Sequence, residues 1–274
     1  MPSHIYARVG RYHDASSANE RAIAADESYL NQCKTQGMHP GGYYPHNLHF
    51  LWYALELEGR SKESVAAAQK VSHYALDLRC GAIEGPRLRY LHLLAFVRFG
   101  RWEDILKDPV PSEEYPFDKA MWHYVRGLAF AATGRTEEAA REQVKFRKLE
   151  QSEKVRAMDT PYFPGTKILA IANQVLAGKI AGARDQKNEI LEHLQKAVQL
   201  EDQMPYMEPP YWHSSARRSL GAALLKAGKS PEAEKIFRED LKKLPNNGWP
   251  LFGLAQRLRE QGKIAEARKI EKQL

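Results

Sequence analysis

Residues Gly228–Ala233 read GKSPEA, and Gly262–Ala267, 34 positions further on, read GKIAEA. The phrase is a glycine, a basic residue, three variable positions, then a small or aliphatic residue. It recurs as GRYHDA from Gly10, GRSKES from Gly59, GRWEDI from Gly100 and GRTEEA from Gly134, and Gly100 and Gly134 are again 34 apart. A fixed period outranks local readings, because it marks one structural unit used repeatedly.

The flanks identify the unit. Before Gly228, Leu220, Ala223, Leu224 and Ala227 follow helical spacing, and after it Ala233, Ile236 and Phe237 do the same. Glycine can leave a helix through the left-handed region without a Cβ penalty. The small residue five positions later lets the second helix approach the first closely. Each unit is thus expected to be a helix, a tight turn and a second helix. A lone pair cannot bury both apolar faces, so neighbouring pairs should stack.

These residues resemble the tetratricopeptide repeat family. Gly127 and Gly221 stand where its first helix carries a small residue, and Phe130 and Ala139 also fit. In the copy running from about His213, Gly221, Leu224, Gly228, Ala233, Phe237 and Pro245 fall where the pattern expects them. A weaker copy uses Gly178 as the small residue and Asp185 as the turn, followed by Ile190, Leu194 and Ala197. The resemblance implies an all-α fold over residues 1–274. Its antiparallel helix pairs would stack as a right-handed superhelical solenoid of about seven full or partial repeats. Gaps of 49, 41 and 94 residues between turns depart from the period. Only nine residues precede Gly10, so the chain is expected either to start within a repeat, as the C-terminal part of a longer bacterial protein, or to form a shortened cap. Ile5 and Val9 would then be half exposed, and the uncapped face could pair with a second copy. Ala265–Leu274 is expected to form a charged closing helix.

Composition narrows the function classes. The chain has 274 residues, 43% hydrophobic and 27% charged, with a formal net charge of +7. Its basic residues are interspersed with acids, as in REDLKK and RTEEAAREQVKFRK, which read as solvated helix faces rather than a nucleic-acid footprint. Cys33 and Cys80 form no CxxC pair, which suits a reducing, cytoplasmic setting. No stretch approaches the ~18 apolar residues of a membrane span. There is no GxSxG phrase, reactive-cysteine phrase or phosphate-cradling loop, so catalysis has no support in the sequence.

Four inserts share aromatic and proline chemistry: HPGGYYPHN (His39–Asn47), SEEYPFD (Ser112–Asp118), DTPYFPGT (Asp159–Thr166) and MPYMEPPYWH (Met204–His213). Proline suits a first helical turn and holds the preceding residue extended. Each insert therefore reads as a lead into the next helix, and stacked units should align the leads along one edge. They either cover helix ends or form an aromatic rim lined by Tyr44, Tyr162, Phe163, Tyr206, Glu208 and Trp212.

The resemblance also implies where ligand-facing side chains lie: thirteen, ten, six and three residues before each turn. These are His46, His49, Tyr53 and Glu56 for the Gly59 unit, and His4 for the Gly10 unit. They are Ser215, Arg218, Ala222 and Leu225 for the Gly228 unit, and Trp249, Phe252, Gln256 and Arg259 for the last. The family's basic-and-asparagine clamp for peptide C-termini is not reproduced. The expected function is a scaffold that holds a peptide or protein partner in its concave groove without a cofactor. The alternative is a metal-dependent or small-molecule-binding protein, with a divalent transition metal at His4, His46 and His49 and with Glu208 close by.

Overall fold

In the computed structural model, which describes residues 2–33, 39–77 and 88–274, all six phrase glycines lie in the left-handed region, with φ from 66° at Gly100 to 77° at Gly134. Asp185 adopts the same conformation, φ 56°. At these seven turns the next residue's N–H reaches back to a carbonyl five residues earlier. Arg135 N bonds Phe130 O at 2.8 Å, and Gln186 N bonds Ala181 O at 2.9 Å. This is the helix-ending geometry that glycine favours.

The turns join helices into hairpins: α1 (Pro2–Arg8) with α2 (Tyr12–Cys33), α3 (Tyr44–Glu58) with α4 (Ser61–Asp77), and α5 (Leu91–Arg98) with α6 (Trp102–Lys107). Next come α7 (Pro116–Ala132) with α8 (Thr136–Glu150), the single turn α9 (Glu153–Arg156), and α10 (Gly165–Ala183) with α11 (Lys187–Asp202). The last are α12 (Ala216–Lys226) with α13 (Ser230–Lys243), and α14 (Gly248–Glu260) with α15 (Ile264–Glu271). A π-helical turn, His39–Tyr43, leads into α3. Among the described residues there is no strand beyond an isolated bridge between Thr160 and Phe163. Neighbouring hairpins pack on one another, α7 on α10 and α11 on α12 for example. No described helix is long and apolar enough to cross a membrane. Cys80 lies outside the described residues, as does the side chain of Cys33.

Helix α7 shows why these segments fold as they do. Pro116 opens it, Asp118 sits in its first turn, and Phe117, Met121, Tyr124, Val125 and Leu128 form one buried stripe. The turn phrase holds a regularity that the reading of three variable positions overlooked: its fifth residue is acidic in all six copies. The arginine after the glycine bonds that acid in four of them: Arg11 to Asp14 at 2.6 Å, Arg60 to Glu63 at 3.2 Å, Arg101 to Asp104 at 2.7 Å and Arg135 to Glu138 at 3.0 Å. Gln186 and Glu189 repeat the contact in the Asp185 copy at 2.8 Å. The acid also sits in the first turn of the second helix, where negative charge opposes the helix dipole.

One apolar core runs from Tyr12 to Ala216, and a second joins α11 to α15 through Leu194, Leu224, Phe237 and Leu258, with Val198 touching both. In the second core the ring of Phe237 is held between two helices that come close because each offers a glycine. A Cβ on Gly221 would lie 2.4 Å from the ring, and one on Gly253 2.6 Å.

The ends of the chain also meet. Tyr12 Oη donates to Pro245 O at 2.7 Å, and Asn246 Nδ2 reaches Gly10 O at 3.5 Å. Gly10 lies so close to Pro245 that a Cβ there would stand 2.4 Å from the carbonyl oxygen. His4 meets Glu208, and the Arg98 guanidinium lies 4.5 Å from the centre of the Trp249 ring. Helices α1 and α3 therefore face the 204–215 segment, which joins α11 to α12. Ile5 and Val9 are exposed, and the charged closing helix forms as α15.

Candidate functional site

The aromatic leads do meet. The Phe117 and Phe163 rings are 4.9 Å apart, Tyr211 Oη donates to Tyr162 O at 3.0 Å, and His46 joins the 204–213 lead through His4 and Glu208. The last lead does more than border a groove, because it packs into the early hairpins. His213 packs on Trp52 at 5.4 Å between ring centres, and Trp212 packs on Tyr124 at 5.9 Å.

Three of the four expected ligand-facing positions of the Gly59 unit are buried. His49, Tyr53 and Glu56 are all buried, and so is Trp212. His49 stacks on Trp52, with ring centres 5.6 Å apart, and lines a void of about 10 Å³ with Leu94 and His213, barely enough for one water. Glu56 is closed over by Arg98, whose Nε lies 3.2 Å from its Oε1; both side chains are almost inaccessible. Of the expected rim, Tyr162 and Tyr206 are exposed, at 73% and 71%. Phe163 is core, and Tyr44 is buried with its hydroxyl donating to Glu27.

The histidines separate in the same way. His4 Nδ1 lies 2.7 Å from Glu208 Oε2, and His4 Nε2 lies 3.2 Å from His46 Nε2. With a proton on Nδ1, His4 can donate to the carboxylate and accept from His46 Nε2–H. His49 is directed elsewhere, onto Trp52. Among the described residues no group of three or more His, Cys, Asp or Glu side chains is arranged to hold a metal ion.

Two accessible features remain. The first is a cavity of about 380 Å³ between α1, α3, the 204–215 segment and the end of α13. Its rim carries Arg8, Tyr206, Glu208, Lys242 and Lys243, and its floor Phe50, Tyr53, Trp212, His213, Ser215 and Asp240. Glu208 ties the rim together. It accepts from Tyr206 Oη at 2.5 Å, faces Arg8 Nε at 3.6 Å, and holds His4. Burial lowers the pKa of His213, favouring a neutral ring. Burial also raises Asp240, and pushes Glu201, another lining residue, up to about 7 although it accepts the Ala216 N–H at 2.9 Å.

Asp240 was hidden inside REDLKK, read as a solvated face, yet it is completely buried. Its position gave a usable signal: Ala233, Phe237 and Asp240 form a helical stripe, so a carboxylate sits on an apolar face. Glu142, within RTEEAAREQVKFRK, is likewise buried, 2.5 Å from His123 Nδ1.

The second feature is the face of the last hairpins. Trp249 and Phe252 are 45% and 57% exposed, one turn apart on α14, and Gln256 and Arg259 continue the exposed row. Arg218, on α12, places its guanidinium 5.7 Å from the centre of the Trp249 ring, opposite in sequence to the Arg98 contact. Of the ligand-facing positions expected from the sequence, the four on α14 are exposed, whereas Ser215 at the start of the Gly228 unit is buried. Neither a family model nor a curated protein matches this chain.

Proposed function

We propose that this chain is a tetratricopeptide-type helical-repeat scaffold that holds an acidic stretch of a protein partner on the face of its last two hairpins. Seven hairpins closed by one turn geometry, with neighbours packed together, support a right-handed superhelical stack. The observation that carries the binding role is the exposed pair Trp249 and Phe252, with the Arg218 guanidinium 5.7 Å from the centre of the Trp249 ring. Exposed aromatics beside arginine are the side chains on which binding energy concentrates. The Arg218 cation favours a negatively charged segment. The early hairpins take no part, because residues 204–215 already pack into them.

The test is a fluorescence-anisotropy screen of labelled peptides of graded charge against the intact chain, Trp249→Ala and Arg218→Ala. Acidic peptides should bind, more weakly at high salt, and each substitution should weaken binding about tenfold or more. Absence of charge-dependent binding, or affinity unchanged in both variants, contradicts the role.

A further inference from the structure

We propose that the cavity between α1, α3, the 204–215 segment and α13 is a binding site for a small organic amine, taken up as its ammonium ion. This site is separate from the Trp249 face and does not depend on it.

Its size comes first. About 380 Å³ lies within the range of roughly 300–1,000 Å³ common to small-molecule sites. The floor is apolar and aromatic, from Phe50, Tyr53 and Trp212, and such faces attract organic cations.

The polar groups of the floor point to a particular ligand. Asp240 is completely buried, lines the cavity, and accepts no hydrogen bond at either carboxylate oxygen. The Ser215 hydroxyl lies beside it without meeting hydrogen-bond geometry. Trp212 Nε1–H is also buried with no acceptor. Buried polar atoms in folded proteins are almost always satisfied, so two such groups in residues that line one cavity call for something that satisfies them. An ammonium donates to Asp240, and an oxygen on the ligand's body accepts from Trp212.

The charges are arranged consistently with this. Arg8, Lys242 and Lys243 are exposed at the rim, with Arg8 facing Glu208 and Lys243 bonded to Asp202. Asp240 and Glu201 are the lining carboxylates whose pKa burial raises, and burial holds His213, also in the lining, toward the neutral form. Arg217, Lys243 and Arg98 all act on Asp240, the lysine from the cavity's rim and the arginines from outside the lining, which offsets its burial.

The probes are tyramine, which has both an ammonium and a phenolic oxygen, phenethylamine, which lacks the oxygen, and 4-ethylphenol, which lacks the ammonium. Calorimetric titration of the intact chain should give saturable binding of tyramine, weaker binding of phenethylamine and none of 4-ethylphenol. Asp240→Asn, checked for helical content by circular dichroism, should weaken both amines about tenfold or more. Trp212→Phe should weaken tyramine several-fold and leave phenethylamine unchanged, an arm that stands even where the carboxylate variant folds poorly. Trp249→Ala should change neither, which separates this site from the peptide face. Absence of saturable amine binding, equal binding of 4-ethylphenol, or full affinity in folded Asp240→Asn overturns the proposal.

Discussion

Alanine at Gly10 and alanine at Gly59 should have very different consequences, although both glycines have φ 75°. At each site alanine must occupy the left-handed region, at roughly 1–2 kcal/mol, partly offset by about 0.4–1 kcal/mol from the stiffer unfolded chain. A Cβ at Gly59 meets nothing within 4 Å, so the cost ends there. At Gly10 it would lie 2.4 Å from Pro245 O and 2.8 Å from Pro245 C, backbone atoms that cannot rotate aside. Pro245 O also accepts the Tyr12 hydroxyl at 2.7 Å, so retreat breaks that bond. Overpacking costs about 1–3 kcal/mol and the lost hydrogen bond about 1 kcal/mol. Gly10→Ala should therefore exceed Gly59→Ala by roughly 2–4 kcal/mol. Urea denaturation followed by circular dichroism measures the difference. Native-state hydrogen exchange locates it, with protection falling across residues 2–33 in Gly10→Ala alone. Equal destabilisation by the two substitutions would refute the contact between the first hairpin and Pro245.

Other substitutions probe the interior. Gly221→Ala should destabilise the chain by about 1–3 kcal/mol despite alanine's better helix propensity, because Gly253 blocks the far side of the Phe237 ring. Phe237→Leu should absorb much of that penalty, giving a non-additive double-mutant cycle; strict additivity counts against the clamp. Arg98→Ala strands the buried Glu56 carboxylate and should cost about 3–5 kcal/mol, whereas Arg98→Met with Glu56→Gln should recover most of it in chemical denaturation. A negligible effect of the single change would mean that the pair is solvated. The Glu201 carboxyl, with pKa raised to about 7, stabilises the folded chain in its protonated form. That contribution is complete below the unfolded value near ~4.3 and lost as pH rises through about 7. Glu201→Gln keeps an acceptor for Ala216 N–H, so its stability relative to the parent should rise between pH 5 and pH 8, by at most about 1.4 kcal/mol per pH unit. A constant difference across that window contradicts the burial.

The hairpins were legible because each turn depends on one residue whose backbone requirement is visible in the sequence. Even Asp185, a residue type that tolerates the left-handed region, stood at the right place. His49, Tyr53 and Glu56, expected to face a ligand, are buried instead. What packs over them was not legible, since it depends on curvature accumulated over gaps of 49, 41 and 94 residues. That curvature decides that Trp212 and His213 pack into the early hairpins and that Pro245 reaches Gly10. Asp240 was missed because charge density suggested solvent, while its place on the stripe of Ala233 and Phe237 indicated burial.

The meeting of the chain's two ends is the claim on which the packing of the 204–215 segment into the early hairpins and the amine cavity both rest. Exposed His13 and Gln273 line the same surface hollow, with Arg11, Asn246 and Leu274. Electron–electron double resonance between nitroxides at positions 13 and 273, with Cys33 and Cys80 replaced by serine, measures their separation directly. A distribution centred below about 25 Å is predicted, whereas roughly 50 Å, as expected for an open stack of seven hairpins in layers ~9 Å apart, would contradict the account.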